Sequence, residues 1–219
     1  MIQFQQLPFK KENTWISSDF HAFHQNICKG SSNWTDLSKC RDFNDEIEMT
    51  FHISTQINSY VKEDDLLIHL GDWSFGGVKN IINFRHMLRC KNILLIQGNH
   101  DHHIEEFEHL SKDFYLDGDL MSKQVFMGIH QLAYLQIEHF KFLACHYPLQ
   151  IWHQSHKGIP NLFGHCHGNY IPKNRSLDVG IDNAYKLFGE YRPFSVKEVE
   201  SITNSLPILF ESHHTKNTN

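Results

Sequence analysis

Three times in the first half of the chain the same succession recurs: an apolar run, a turn carrying Asp, Asn or His, and an amphipathic segment. Thr14-Trp15-Ile16-Ser17-Ser18 runs into Asp19-Phe20-His21. Asp65 to Leu70, with Leu66-Leu67-Ile68 at its centre, runs into Gly71-Asp72-Trp73. Ile93-Leu94-Leu95-Ile96 reaches Gly98-Asn99-His100-Asp101 after Gln97. Strands alternating with helices define the α/β class, and an open sheet of that class presents ligands at the carboxyl ends of its strands.

The segments between these strands carry helical periods. From Asp42, the apolar positions Phe43, Ile47, Phe51 (or Thr50), Ile53 or Ser54, and Ile57 predict a helix to about Tyr60. Ile81, Ile82, Phe84, Met87 and Leu88 give the apolar face of a second helix beginning near Gly77, with Arg85 and Arg89 read as a solvated basic pair. Phe23 to Ser38 holds the turn formers Lys29 to Asn33 and reads as an irregular loop.

The second half changes character. Gln124–Met127, Ala133–Ile137 and Phe140–Ala144 are short β-like runs that predict a meander or a second sheet. Asn161–Gly164 and Ser176–Gly180 read as further strands, Val196–Thr203 as a short helix, and 211–219 as a polar, frayed tail. At 219 residues the chain can bury one substantial core, so a single domain over 1–219 is expected.

Charge and cysteine content narrow the function class. A net charge of -5 gives no electrostatic reason to expect tight binding to a long nucleic acid. The five cysteines are scattered without a Cys-x-x-Cys pair, which suits free thiols rather than a disulfide framework or a thiolate zinc site. No run approaches membrane-spanning length and no leader pattern opens the chain, so a cytoplasmic protein without membrane contact is expected.

The 18 histidines matter where they sit at strand ends beside carboxylates. His52, His86, His109, His213 and His214 have no such setting and read as surface or packing residues. In extended backbone, residues i and i+2 point the same way, so Asp19 and His21 converge, and His165 and His167 in Gly164-His165-Cys166-His167 share a face. By the same rule Cys166 points away, as does Cys145 before His146. The candidate ligands are therefore Asp19, His21, Asp72, Asn99, His146, His165 and His167. Oxygen and imidazole donors without thiolates suit catalytic Mn, Fe, Co or Zn. If Asp72 bridges, two ions each receive four protein ligands; a pair roughly 3.5 to 4 Å apart can activate a bridging water and grip both oxygens of a phosphoryl displacement.

In this order the residues resemble the metallophosphoesterase superfamily, the calcineurin-like phosphoesterases. Its pattern of Asp-x-His, Gly-Asp, Gly-Asn-His-Asp/Glu, a lone His, and Gly-His-x-His is matched by Asp19/His21, Gly71-Asp72, Gly98 to Asp101, His146, and Gly164 to His167. The resemblance spans about residues 14–182. It implies a two-sheet β-sandwich flanked by helices in a four-layer αββα arrangement, with a dinuclear site at the strand ends. Asp19, His21, Asp72 and His167 would hold one divalent ion, and Asp72, Asn99, His146 and His165 the other. Manganese leads, with Fe, Zn, Co or Ni as alternatives. His100 resembles the family's non-ligand histidine that protonates the leaving oxygen, a role suited to an imidazole. Asp101 is expected to support the loop or cap the next helix.

The chain also departs from one branch of the family. Trp73-Ser74-Phe75-Gly76-Gly77 lacks the Asp-Arg-Gly of the Ser/Thr protein phosphatases, and with it the Asp that orients the catalytic histidine. Ser18 to His21 with His24 to Ile27, and His146 to Leu149 with Trp152 and Ser155-His156, look similar to a small, compact bacterial and phage branch.

The expectation is a hydrolase of a phosphomonoester or phosphodiester, small or nucleotide-like, working by attack of a metal-bridging hydroxide. His24, Trp152 and His156 are weaker candidates for substrate contact, and Tyr147 could stack on a base or sugar; Trp152 could equally be core. Lys157, Lys173 and Arg175 read as solvated loop charges, with phosphate contact as the alternative. The rivals are a metal-dependent nuclease on DNA or RNA, which would want a longer groove, and a non-catalytic metal-binding interaction module.

Overall fold

The computed structural model describes residues 2–105, 114–116, 119–121 and 125–209. Its strands and helices in chain order are β1 (Gln5–Leu7), β2 (Thr14–Ser17), α1 (Glu46–Tyr60), β3 (Leu66–His69), α2 (Val78–Met87), β4 (Asn92–Ile96), α3 (His102–Glu105), β5 (Phe114–Leu116), β6 (Asp119–Met121), β7 (Gly128–His130), β8 (Leu132–Ile137), β9 (Phe140–Cys145), β10 (Asn161–Phe163), β11 (Ser176–Asp178), α4 (Ile181–Phe188), β12 (Phe194–Ser195) and α5 (Val196–Ser205). They form two five-stranded sheets, ordered β12-β2-β3-β4-β7 and β1-β8-β9-β10-β11, flanked by helices, and a small β5-β6 pair.

In the first sheet β2, β3, β4 and β7 run parallel, with β12 antiparallel on the edge. The apolar runs are continuous because both faces are buried. Leu66, Ile68, Leu70, Leu94 and Ile96 pack with Leu135, Phe142 and Leu162 of the second sheet. Leu67, Ile93 and Leu95 pack with Met49, Ile53 and Ile57 of α1 and with Ile81 and Phe84 of α2. The second sheet is mixed: β8 and β9 are an antiparallel hairpin, and β10 and β11 continue from β9 in parallel. Parallel ladders aim the ends of β2, β3, β4, β9 and β10 the same way within their sheets, and the loops that carry the candidate residues leave from those ends.

Several local expectations change. Helix α1 begins at Glu46, where the Asp45 carboxylate accepts from the backbone N–H of Ile47 and Glu48. Its buried stripe is Met49, Thr50, Ile53, Ser54 and Ile57; Ile47 and Phe51 face solvent at 60% and 66% exposure. Val125 to Met127 is not a strand; β7 begins at Gly128. Val125 and Phe126 instead sink into the helix-side core, and the Val125 carbonyl accepts from Nε of Arg85. Arg85 is accordingly no solvated charge: it is 2% exposed and its guanidinium also donates to the carbonyls of Leu88 and Lys91. The expectations for Gln124, His109, His213, His214 and the tail 211–219 lie outside the described residues. Among the described residues, no helix is long and apolar enough to cross a membrane.

Candidate metal centre

The loop after β2 continues to pair with the loop after β3 once both strands have ended. The backbone N–H of Asp19 donates to Gly71 O, and that of His21 to Asp72 O. In the second sheet, Gly164 N–H donates to His146 O, and across the sandwich the His165 N–H reaches both oxygens of Asp19 at 3.0 and 3.1 Å. The His165–Asp19 contact binds the rim of one sheet to the rim of the other.

Five candidate residues on this rim adopt left-handed backbone: Asp19 (φ 58°), His21 (49°), Asp72 (60°), His165 (68°) and His167 (49°). Such a conformation costs a non-glycine residue about 1–3 kcal/mol, and such strain clusters at functional sites. It also replaces the strand-alternation argument. His165 and His167 enter different clusters, while Asp19 and His21, with the same backbone, meet in one.

The first cluster joins Asp19, His21 and His167, and the second joins Asp72, His146 and His165; within each, the candidate ligand atoms lie within 4.8 Å of one another. Asp72 connects them, its Oδ2 lying 3.5 Å from Nε2 of His21 and 3.5 Å from Nε2 of His146. Asn99 joins the second cluster, with Oδ1 3.1 Å from Nε2 of His146 and 2.9 Å from Nδ1 of His165. All seven candidates of the ligand set thus meet in one place.

The electrostatics of this place fit divalent cations. Asp19 and Asp72 are 0% and 2% exposed, and their carboxylates are met by imidazoles and backbone N–H groups. Burial pushes Asp19 up to about 7. His21 is 3% exposed, and both of its ring nitrogens lack a hydrogen-bond partner. Burial holds it neutral, well below the ordinary histidine range. Burial would lower His146 too, but its hydrogen bond to Asp72 and the charge there raise it to about 9. Buried carboxylates beside an orphaned neutral imidazole suit a bound cation, and N/O donors without thiolate suit catalytic transition ions.

A supporting layer fixes these donors. Asp182 on α4 lies with Oδ2 2.6 Å from Nδ1 of His167, and the Arg41 guanidinium grips the same carboxylate through Nε at 2.9 Å and Nη2 at 2.8 Å. Arg41 also donates to the carbonyls of Asp19 and Phe20. His146 presents Nδ1 to the Leu70 carbonyl at 2.7 Å, which turns Nε2 toward Asp72. Asp101 accepts from the backbone N–H groups of Asp72, Trp73 and Gly98, fastening the β3 and β4 loops together. Neither Arg41 nor Asp182 was expected from the sequence. The signal available was Asp182 in the first turn of a segment closed by Gly189, which marks a helix.

Gly98 serves close approach rather than a left-handed turn. A Cβ there would lie 2.3 Å from Oδ1 of Asp72 and 2.6 Å from its backbone N.

His100 stands exposed at the mouth. Its backbone N–H donates to Oδ1 of Asp72 at 3.0 Å, and its ring lies 4.8 Å from that of Phe75 and 5.6 Å from that of His21. The Asp72 carboxylate holds its backbone, and packing against Phe75 and His21 holds its ring. His24 stacks on Phe75 at 3.7 Å, and burial lowers it to about 4. Tyr147 is exposed, its ring 5.0 Å from that of His165. Trp152 and His156 instead line a separate cavity, where the indole is buried and donates to Ile159 O. Arg175 is spent on the carbonyls of Gly158, Asn204 and Leu206 and on the side chain of Asn204. Cys145 and Cys166 take part in neither cluster.

Two facing five-stranded sheets with helices outside them, and two donor clusters joined by one carboxylate at the strand ends, define the metallophosphoesterase class. The family model described as calcineurin-like phosphoesterase matches residues 13–206, and the chain belongs to that family. A search of curated proteins finds no match. A solved structure of a protein of unknown function, AQ665 from Aquifex aeolicus, is similar in fold, with 18% identity and a TM-score of 0.58 over 86% of this chain and 98% of that one.

Proposed function

We propose that this chain hydrolyses a small or nucleotide-like phosphomonoester or phosphodiester with the help of two divalent ions. The observation that carries the reading is Asp72 Oδ2, 3.5 Å from an imidazole nitrogen of each cluster, the position a shared carboxylate would need. Asp19, His21, Asp72 and His167 would hold one ion, and Asp72, Asn99, His146 and His165 the other, with manganese first among the candidates. Bound ions would supply an acidified water and Lewis-acid polarisation of the phosphoryl oxygens.

The chain's own residues do the rest. Asp72 and Asp101 fix the relative height of the β3 and β4 loops. Buried Asp19 and neutral His21 keep the floor of the site desolvated, which strengthens every electrostatic contact above it. His100 at the rim delivers a proton to the departing oxygen, and the Asp72 carboxylate sets its backbone.

The test is a phosphoester panel with manganese restored, comprising aryl monoesters, aryl diesters, nucleotides and single-stranded DNA. Wild-type turnover of the small esters, lost in Asp72→Ala, supports the reading. Turnover confined to DNA would replace it with a nuclease. Inertness toward every ester at full metal content would leave a binding module.

A further inference from the structure

A cavity of about 480 Å³ contains none of the candidate ligands. Small-molecule sites fall within roughly 300–1,000 Å³ and combine an apolar lining with a few polar groups. Its walls come from two loops that begin at the centre. One leaves β9 through His146 and reaches Leu149 three residues later, continuing through Ile151 and Trp152; the other leaves His167 and reaches Tyr170 three residues later, continuing to Lys173. Three residues span at most about 10 Å, so Leu149 and Tyr170 in its wall each lie within that reach of a candidate ligand.

The lining is chemically one-sided. Leu149, Ile151, Trp152 and Tyr170 offer apolar and aromatic surface, and Ile151 is left 59% exposed. Among the described residues the ionisable groups of its lining are Lys173 and His156 together with the Tyr170 phenol, and none of the described lining residues carries a carboxylate. Lys173 forms no ion pair among the described residues. An ammonium in an apolar recess, unpaired among the described residues, suits an organic anion with an aromatic or apolar body.

We infer that this cavity holds the non-reacting part of the substrate: an aromatic or apolar group bearing a second anionic substituent, which pairs with Lys173 while the scissile phosphate occupies the metal centre. This rests on the phosphoesterase reading and narrows it from phosphoesters in general to doubly anionic ones.

The probes are a nucleoside 3′,5′-bisphosphate and the matching 5′-monophosphate, used on manganese-loaded wild type and the Lys173→Glu variant. The expected result is a KM for the bisphosphate raised about tenfold by the substitution, with kcat unchanged and the monophosphate's constants unmoved. An equal change for both nucleotides, or none for either, overturns the cavity assignment and leaves the hydrolase standing. Calorimetric binding of the same pair separates the two claims. If neither nucleotide nor any ester of the panel is hydrolysed but bisphosphate binding still falls selectively in Lys173→Glu, the hydrolase reading fails and the anion site stands. If binding is insensitive as well, the anion site is overturned too.

Discussion

Oδ2 of Asp182 sits 2.6 Å from Nδ1 of His167, leaving Nε2 of that ring to face Asp19 at 3.9 Å. A carboxylate on the far nitrogen fixes the tautomer and orientation of a metal-binding imidazole, and losing such a partner typically costs about 10–100-fold in affinity. Because Arg41 holds the same carboxylate, the ring is anchored through two side chains.

Asp182→Asn is therefore expected to weaken one of two manganese equivalents by about 10–100-fold and to leave the other nearly unchanged. Manganese titration by calorimetry reads both sites. Two unaltered affinities would show that Asp182 merely fills space.

Gly98→Ala probes the packing between the β3 and β4 loops. The new Cβ would meet both the side chain and the backbone of Asp72, so the carboxylate shared by the two clusters must move. A stability loss of about 1–3 kcal/mol, typical of overpacking, should accompany loss of bound metal. Unfolding midpoints together with metal content check this. A variant that retains full metal would deny Asp72 its linking position.

These two residues show what the sequence could and could not disclose. The β-strand ends were legible because buried parallel strands write continuous apolar runs that stop at polar turns, and the seven candidate ligands follow those stops. What escaped was geometry that follows no local period. Where the backbone turns left-handed, strand alternation no longer decides which cluster a side chain enters: Asp19 and His21 meet in one, His165 and His167 enter two. Asp182 and Arg41 are separated by 141 positions, and no pattern along the chain joins them. Arg85 resembled a surface charge because Arg89 follows at i+4, yet the distant Val125 carbonyl, with those of Leu88 and Lys91, recruits it into the core. The same limit applies to Ile47 and Phe51, which are apolar at helical spacing but belong to the outward face of α1.

Acid should loosen the end of the fold away from the centre. Burial alone would raise Glu198, but the Arg192 guanidinium and the Ser195 cap hold it below the usual carboxylate range. A depressed folded-state value contributes stability above the unfolded value of about 4.3, and that contribution is lost as pH falls through the folded one. Urea unfolding between pH 6 and pH 3 should thus show a shallower acid loss in Glu198→Gln than in wild type. Parallel pH profiles would remove Glu198 from the acid response.

The central claim is that the exposed imidazole of His100, placed by Asp72 and Phe75 but outside both donor clusters, performs chemistry rather than binding metal. The direct measurement is turnover of an aryl phosphate ester by manganese-loaded His100→Asn beside its metal content. The expected result is a fall in kcat of about 10²–10⁴-fold, as for loss of a general acid, with both metal equivalents retained. Wild-type turnover in that variant, or loss of a metal equivalent with it, contradicts the assignment.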